Sequence, residues 1–173
     1  MDARRFLICS LTIGALLAAA AGRADAAPAC DLAKIESAAK LQATLQDRAV
    51  EVVTLAAKSS AKDLKRLETL IAPDARFELG SGDLGRSLGE GVEGARAFAR
   101  DMQANLYIVE GWDYMDMPAD KPCGEQKVTV EFLDNRIKKR CSVNFTFQNG
   151  RVTSALGWDR SYRTGAMPPA KGD

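Results

Sequence analysis

The chain has 173 residues, with 24 basic and 23 acidic side chains and no histidine. That length bounds it to a single domain with room for a core, and the balanced charge excludes the cationic footprint that nucleic-acid binding uses to displace counterions. Without histidine the commonest general base, the Ser–His and Cys–His pairs and the commonest zinc ligand are all missing, so neither a metal nor a cofactor is expected.

The first five residues, Met-Asp-Ala-Arg-Arg, form a short positive region. Residues 6–21 are apolar apart from Cys9, Ser10, Thr12 and Gly14, and Ala24-Asp25-Ala26 offers small residues at both positions a signal peptidase reads. These three parts predict a cleavable secretory signal over residues 1–26, with an apolar run shorter than the ~20 residues of a membrane-spanning helix. The expected working protein is periplasmic or secreted: one domain over residues 27–162, a disordered tail over 163–173, and no membrane attachment after cleavage. The signal takes away Arg4, Arg5, Arg23, Asp2 and Asp25, which leaves the remaining charges even. It also takes away Cys9. Cys30, Cys123 and Cys141 remain, an odd set in a compartment where disulfides persist.

Residues 31–57 place Leu32, Ile35, Ala38, Leu41, Leu45, Ala49, Val52 and Ala56 at steps of three or four, the single apolar stripe of a long amphipathic helix. Ser60, with Asp63 three residues on, predicts the cap of a second helix that ends before Pro73. Residues 74–79 read as a short extended piece. Five glycines at 80, 82, 85, 89 and 91 predict a loop, either a plain surface connection or a mobile lid over a cavity. Residues 92–104 form a third helix. Strands follow over 106–117, 126–133, 138–148 and 151–162, with Asn149-Gly150 as the strongest hairpin signal in the chain and Asp134-Asn135 doing the same one hairpin earlier. The basic run at 136–140 reads as a solvated hairpin.

Helices first and a meander of strands afterwards is an α+β layout. The order of a long helix, a short helix running into "LIAPDARFELG", a glycine-rich stretch, "GVEGARAFARDM", and strands closing with "VNFTFQNGRVTSALGWDRSY" resembles the nuclear transport factor 2-like superfamily over residues 31–162. That superfamily includes ketosteroid isomerases, SnoaL-type polyketide cyclases and limonene epoxide hydrolases. The resemblance implies N-terminal helices packed in a curved antiparallel sheet, a cone or cystatin-like roll. It also implies an apolar pocket at the open end and a homodimer through the sheet.

Turn-derived registers indicate which side chains enter such a cone. A two-residue turn at Asn149-Gly150 sets Phe147, Phe145, Val143 and Cys141 against Val152, Ser154, Leu156 and Trp158 on one face. Arg140 and Asp159 then stand opposite each other on the outer face. A two-residue turn at Asp134-Asn135 adds Val128, Val130 and Phe132 to the inner face, with Val128 opposite Cys141, and leaves Glu131 outside. For residues 106–117 two choices stay open: either Ile108, Glu110, Trp112 and Tyr114 face in, or Tyr107, Val109, Asp113 and Met115 do. The expected pocket lining is Trp112, Tyr114, Cys141, Val143, Ser154 and Trp158.

The inner list holds no carboxylate. A ketosteroid isomerase-like site would have its base where this chain aligns Leu79 and its second acid where it aligns Val143, and both are apolar. Glu78, Glu110 and Asp113 are the remaining acid–base candidates. For the cysteines, strand spacing favours a Cys30–Cys123 disulfide with Cys141 a buried thiol opposite Trp158; Cys123–Cys141 and Cys30–Cys141 are the alternatives. Three functions follow. The leading one is a non-enzymatic cone that binds an apolar small molecule. The others are an isomerase, dehydratase or cyclase working through one of those carboxylates, and an interaction module using the outer sheet face or residues 80–91.

Overall fold

The computed structural model describes residues 30–81, 84–103, 106–108, 120–134, 136 and 139–161. A short 3-10 turn, Asp31–Lys34, precedes three helices: α1 (Ala38–Ala56), α2 (Ala61–Leu70) and α3 (Gly91–Met102). The strands are β1 (Ile71–Ser81), β2 (Leu84–Glu90), β3 (Leu106–Ile108), β4 (Gln126–Asp134), β5 (Lys139–Gln148) and β6 (Arg151–Ser161). They form one sheet in the order β2-β1-β6-β5-β4-β3, curved, unclosed and mixed. The mixed character departs from the expected antiparallel sheet: β1 runs parallel to β6, and the other neighbours are antiparallel.

The first helix begins later than its apolar stripe predicts. Ile35 and Ser37 are extended, and regular helix starts at Ala38 with Ser37 as its N-cap residue. The stripe continues through the interruption because Leu32 is buried by the 3-10 turn. Ala38, expected in the stripe, is exposed; from Leu41 on the pattern holds, with Leu41, Leu45, Ala49, Val52 and Ala56 all buried. Ser60 caps α2 as expected, its hydroxyl accepting from the Asp63 backbone N–H at 3.1 Å.

In the stretch expected as a loop, residues 80–81 and 84–90 are strand and Gly91 opens α3. β1 and β2 form a hairpin, and of its glycines Gly80 serves close approach and Gly89 a positive φ. Gly89 and Gly91 take φ of +109° and +58°, conformations that cost a side chain dearly. The ring of Trp158 lies so close over Gly80 that a Cβ there would overlap it. The extended piece expected at 74–79 is thus the middle of an eleven-residue strand that includes Pro73.

Asn149 and Gly150 both have positive φ, 52° and 74°, as a type I′ turn requires, and Gln148 pairs with Arg151 and Phe147 with Val152. The ladder then slips. Thr146 pairs with Ser154, which leaves Thr153 as an extra residue, a β-bulge. Beyond it Val143 faces Gly157, Ser142 faces Trp158 and Cys141 faces Asp159, so each β6 side chain past Thr153 lies on the face opposite to its expected one. The Asp134 turn is also longer than two residues. Asp134 pairs with Lys139, and its carboxylate accepts from the Arg136 backbone N–H at 2.9 Å, which opens a wider connection. Val128 consequently faces Phe145, not Cys141. Because the displacement is four residues, an even number, Val128, Val130 and Phe132 keep their predicted face.

The core lies between the three helices and one face of the sheet. Phe77, Leu79, Phe98, Val128, Val130, Phe132, Val143, Phe145, Phe147 and Ala155 are buried there. Phe77 meets Phe98 at a ring separation of 5.9 Å and Phe132 meets Phe145 at 6.4 Å, tilted contacts that favour packed aromatics. Such burial is the main favourable term in the fold, at ~1.5–3 kcal/mol for each large side chain.

Candidate polar site at the end of the inner face

The bulge at Thr153 sets what the inner face carries. Past it, Ala155, Gly157 and Asp159 join Phe145, Val143 and Cys141 on the core side, while Ser154, Leu156 and Trp158 turn outward. Gly157 is enclosed: a Cβ there would stand 2.9 Å from Leu79 Cδ1, 3.0 Å from Cys141 Sγ and 3.1 Å from Phe98 Cζ. One step on, Asp159 brings a carboxylate onto an otherwise apolar surface.

Lys139 completes the corner. Its Nζ lies 2.5 Å from Asp159 Oδ2, with side chains 26% and 13% exposed respectively. This replaces the expected Arg140–Asp159 pair. Arg140 instead pairs with Glu131 at 2.9 Å, and Glu131 lies on the outer face as predicted but is buried. Asp159 Oδ1 is buried and takes no nitrogen or hydroxyl donor; the Cys141 thiol hydrogen-bonds the Asp159 carboxylate. A carboxylate oxygen in that state carries an unrecovered desolvation cost and calls for a donor. Cys141, 2% exposed, is the third member. Burial pushes its thiol far up, and the neighbouring Asp159 carboxylate adds to the effect, so it is a neutral S–H and not a nucleophile at ordinary pH. Next to Lys139, the buried Asp134 is held by Arg136 at 2.6 Å. On α1, Gln46 is buried with its Nε2 unpaired.

The sequence-derived candidates distribute as follows. Leu79 and Val143 are buried apolar side chains, so no carboxylate occupies either position. Glu78 pairs with Ser87 and Leu156 on the face opposite to Leu79, outside the cone. Cys141 and Val143 lie on the inner face. Ser154 and Trp158, expected inside, lie on the outer face, displaced by the bulge. Glu110, Trp112, Asp113 and Tyr114 fall outside the described residues, as does the choice of inward face for that stretch. Asp159 was expected on the outer face opposite Arg140, and Lys139 and Gln46 were not singled out in the sequence. The inward face of Asp159 depends on a bulge that strict alternation does not contain, and Gln46 sits at the edge of a stripe read from its apolar members.

Cys30 and Cys123 form a disulfide with Cα atoms 6.0 Å apart, and Cys141 is a buried free thiol. The bond fastens the chain ahead of α1 to the segment before β4. That segment is itself tied to the hairpin turn by Asn149 N–H donating to Cys123 O at 3.0 Å. Among the described residues no cluster of three or more cysteine, aspartate or glutamate side chains is placed to hold a metal, and no helix is long and apolar enough to cross a membrane.

No family model and no curated protein matches the chain. Solved structures do. A de novo designed protein with a curved β-sheet is 18% identical, with a TM-score of 0.42 over 69% of this chain and 87% of its own. A nuclear transport factor 2-like protein of unknown function from Cytophaga hutchinsonii is 12% identical, with a TM-score of 0.36 over 67% and 89%. A protein of unknown function with a cystatin-like fold from Methylobium petroleophilum is 9% identical, with a TM-score of 0.40 over 73% and 82%. Likenesses at this level say nothing about activity. By its own element order, its parallel β1–β6 pair and its curved open sheet over three helices, the chain has an α+β fold, similar to solved structures described as nuclear transport factor 2-like and cystatin-like.

Proposed function

We propose that this chain is an exported small domain whose curved sheet holds a largely apolar small molecule with one hydrogen-bond-donating end. The observation that carries the reading is the composition of the inner face. Leu79, Phe98, Phe132 and Val143 make it apolar and are packed into the core, and at its end Asp159, beside Lys139, has one oxygen to which no nitrogen or hydroxyl donates. A few placed polar groups on an apolar wall are the usual makeup of a small-molecule site. A ligand hydroxyl or amine would satisfy Asp159 Oδ1 at the edge of the packed region around Gly157. Export rests on the tripartite start of the sequence and is favoured by a disulfide. Pairing of two copies through the outer sheet face belongs to the same proposal, with the half-buried Leu156 and Trp158 at its centre.

Native mass spectrometry of the protein purified from the compartment that receives it tests this directly. The expected spectrum shows a retained small molecule, the chain starting near Ala27, one disulfide and a dimer. A bare chain from several growth conditions, with no amide shifts at Gly157 or Asp159 on adding a panel of hydroxylated apolar compounds, would sink the ligand reading.

A second reading is an isomerase- or dehydratase-type enzyme. One observation favours it: Asp159 supplies the inner-face carboxylate that Leu79 and Val143 do not. It requires turnover that Asp159→Asn abolishes without loss of ligand binding.

A further inference from the structure

We propose a second binding site, for a small carboxylate or phosphate, in the cleft where α1, the end of α2 and the β5–β6 turn meet. The cleft encloses about 210 Å³ and is walled by Arg48 from α1, Arg66 and Thr69 from α2, Arg151 from β6, the turn residue Asn149, and Asp31. It is separate from the polar corner formed by Lys139 and Asp159.

Three guanidinium groups line the cleft; two of them hold carboxylates and the third holds backbone carbonyls. Arg48 donates from Nη1 to Gly150 O at 2.8 Å and from Nη2 to Asp31 Oδ2 at 2.5 Å. Arg66 holds Glu51 through Nε and Nη2 at 2.8 and 3.0 Å. Arg151 uses Nη2 on the Glu68 and Ile71 carbonyls that end α2. The local balance is one positive charge. A guanidinium has five N–H donors, and these bonds leave Arg66 Nη1 and Arg151 Nη1 unspent. Arg151 Nε is buried with no acceptor at all.

Asp31 shows what the cleft selects. Its side chain is 69% exposed, yet it is turned onto Arg48. The hydrogen bond from Arg48, and then the charges of Arg48 and Arg66, hold its carboxyl below the ordinary range. The chain's own carboxylate thus occupies part of a site built from planar, bidentate donors, the geometry suited to carboxylate and phosphate oxygens. A free oxyanion would bind beside Asp31, on the donors it leaves.

The test is amide and guanidinium NMR on the folded, disulfide-bonded protein at low ionic strength, titrated separately with inorganic phosphate and with malonate. Saturable shifts are expected at residues 31, 48, 66 and 149–151, with Kd in the range of about 0.1–5 mM. Arg66→Gln should weaken binding about fivefold or more, and Asp31→Ala, which removes the competing carboxylate, should tighten it by a similar factor. Tighter phosphate than malonate assigns the ligand to phosphates, and the reverse assigns it to carboxylates. Should Arg66→Gln not fold, Thr69→Glu, which adds a negative charge to the wall, must give the same weakening. Absence of saturation by about 20 mM, or unchanged affinity in both Asp31→Ala and the Arg66 or Thr69 variant, overturns the proposal.

Discussion

Asp159 stands directly across the β5–β6 ladder from Cys141, two residues beyond the enclosed Gly157 that faces Val143. A single extra residue, Thr153, produces that arrangement. Its hydroxyl donates to the Thr146 carbonyl at 3.2 Å across the site of the bulge. The register below it trades an inward Trp158 for an inward carboxylate.

Gly157→Ala tests the closeness of this packing. The added methyl would meet Leu79, Cys141 and Phe98 at 2.9–3.1 Å, all from elements fixed by the ladder or by α3. A buried methylene without room typically costs about 1–3 kcal/mol, so a drop of that size in denaturant-measured stability is expected. An unchanged midpoint would mean that the surface around Gly157 is open and yielding.

Cys141 gives a pH prediction. Its thiol is pushed well above its ordinary value of 9.0 by burial and by Asp159. The unfolded chain therefore releases this proton at a pH where the folded chain keeps it. The contribution is fully present below about pH 9 and declines as pH rises, by at most about 1.4 kcal/mol per unit. Stability of the wild type should fall more steeply above pH 9 than that of Cys141→Ala, and the native thiol should resist a disulfide reagent at pH 8 until the protein is unfolded. Rapid native labelling would place the thiol near solvent and remove the basis for the slope.

How much of this was readable beforehand depends on what each residue pattern encodes. Asn149-Gly150 fixed its turn because only residues tolerant of positive φ suit both positions. The helical stripe found α1 and its buried residues, but it could not show that Ile35 and Ser37 leave the helix, since a 3-10 turn buries Leu32 at nearly the same spacing. Gly89 and Gly91 looked like flexibility when they are the end of β2 and the first residue of α3, positions that take positive φ. The Cys30–Cys123 pair followed from strand spacing, even with the β4 register off by four, because both registers keep Cys123 beyond the strand end. The polar corner was hidden for one reason: a bulge has no side-chain signature, and every residue after Thr153 changes face with it.

The disulfide should contribute strongly. It joins residues 93 apart, and closing a loop of that length removes enough unfolded-chain entropy to be worth about 4–5 kcal/mol. Cys30→Ala/Cys123→Ala is expected to lower the unfolding free energy by at least half of that, with amide protection lost first at residues 30–34, where the 3-10 turn has its tether. Equal stability of the oxidised and reduced forms would indicate that the hairpin turn and the Arg48–Asp31 pair hold this segment unaided.

The Lys139–Asp159 pair yields the most discriminating measurement. Both side chains are largely covered, so removing either charge strands the other away from water, whereas removing both does not. Lys139→Met should destabilise by about 2–4 kcal/mol, and the double variant Lys139→Met/Asp159→Leu should recover most of that loss. Ligand binding should respond differently. Asp159→Leu deletes the oxygen available to a donor, so a hydroxylated or amino-bearing apolar ligand should lose about tenfold or more, worth ~1.4 kcal/mol, in the single and the double variant alike. Recovered stability with unrecovered affinity would separate the structural work of the ion pair from the binding work of its aspartate. If affinity returned together with stability, Asp159 would be holding the fold rather than the ligand, and the donor end of the proposed molecule would have to be met elsewhere on the inner face.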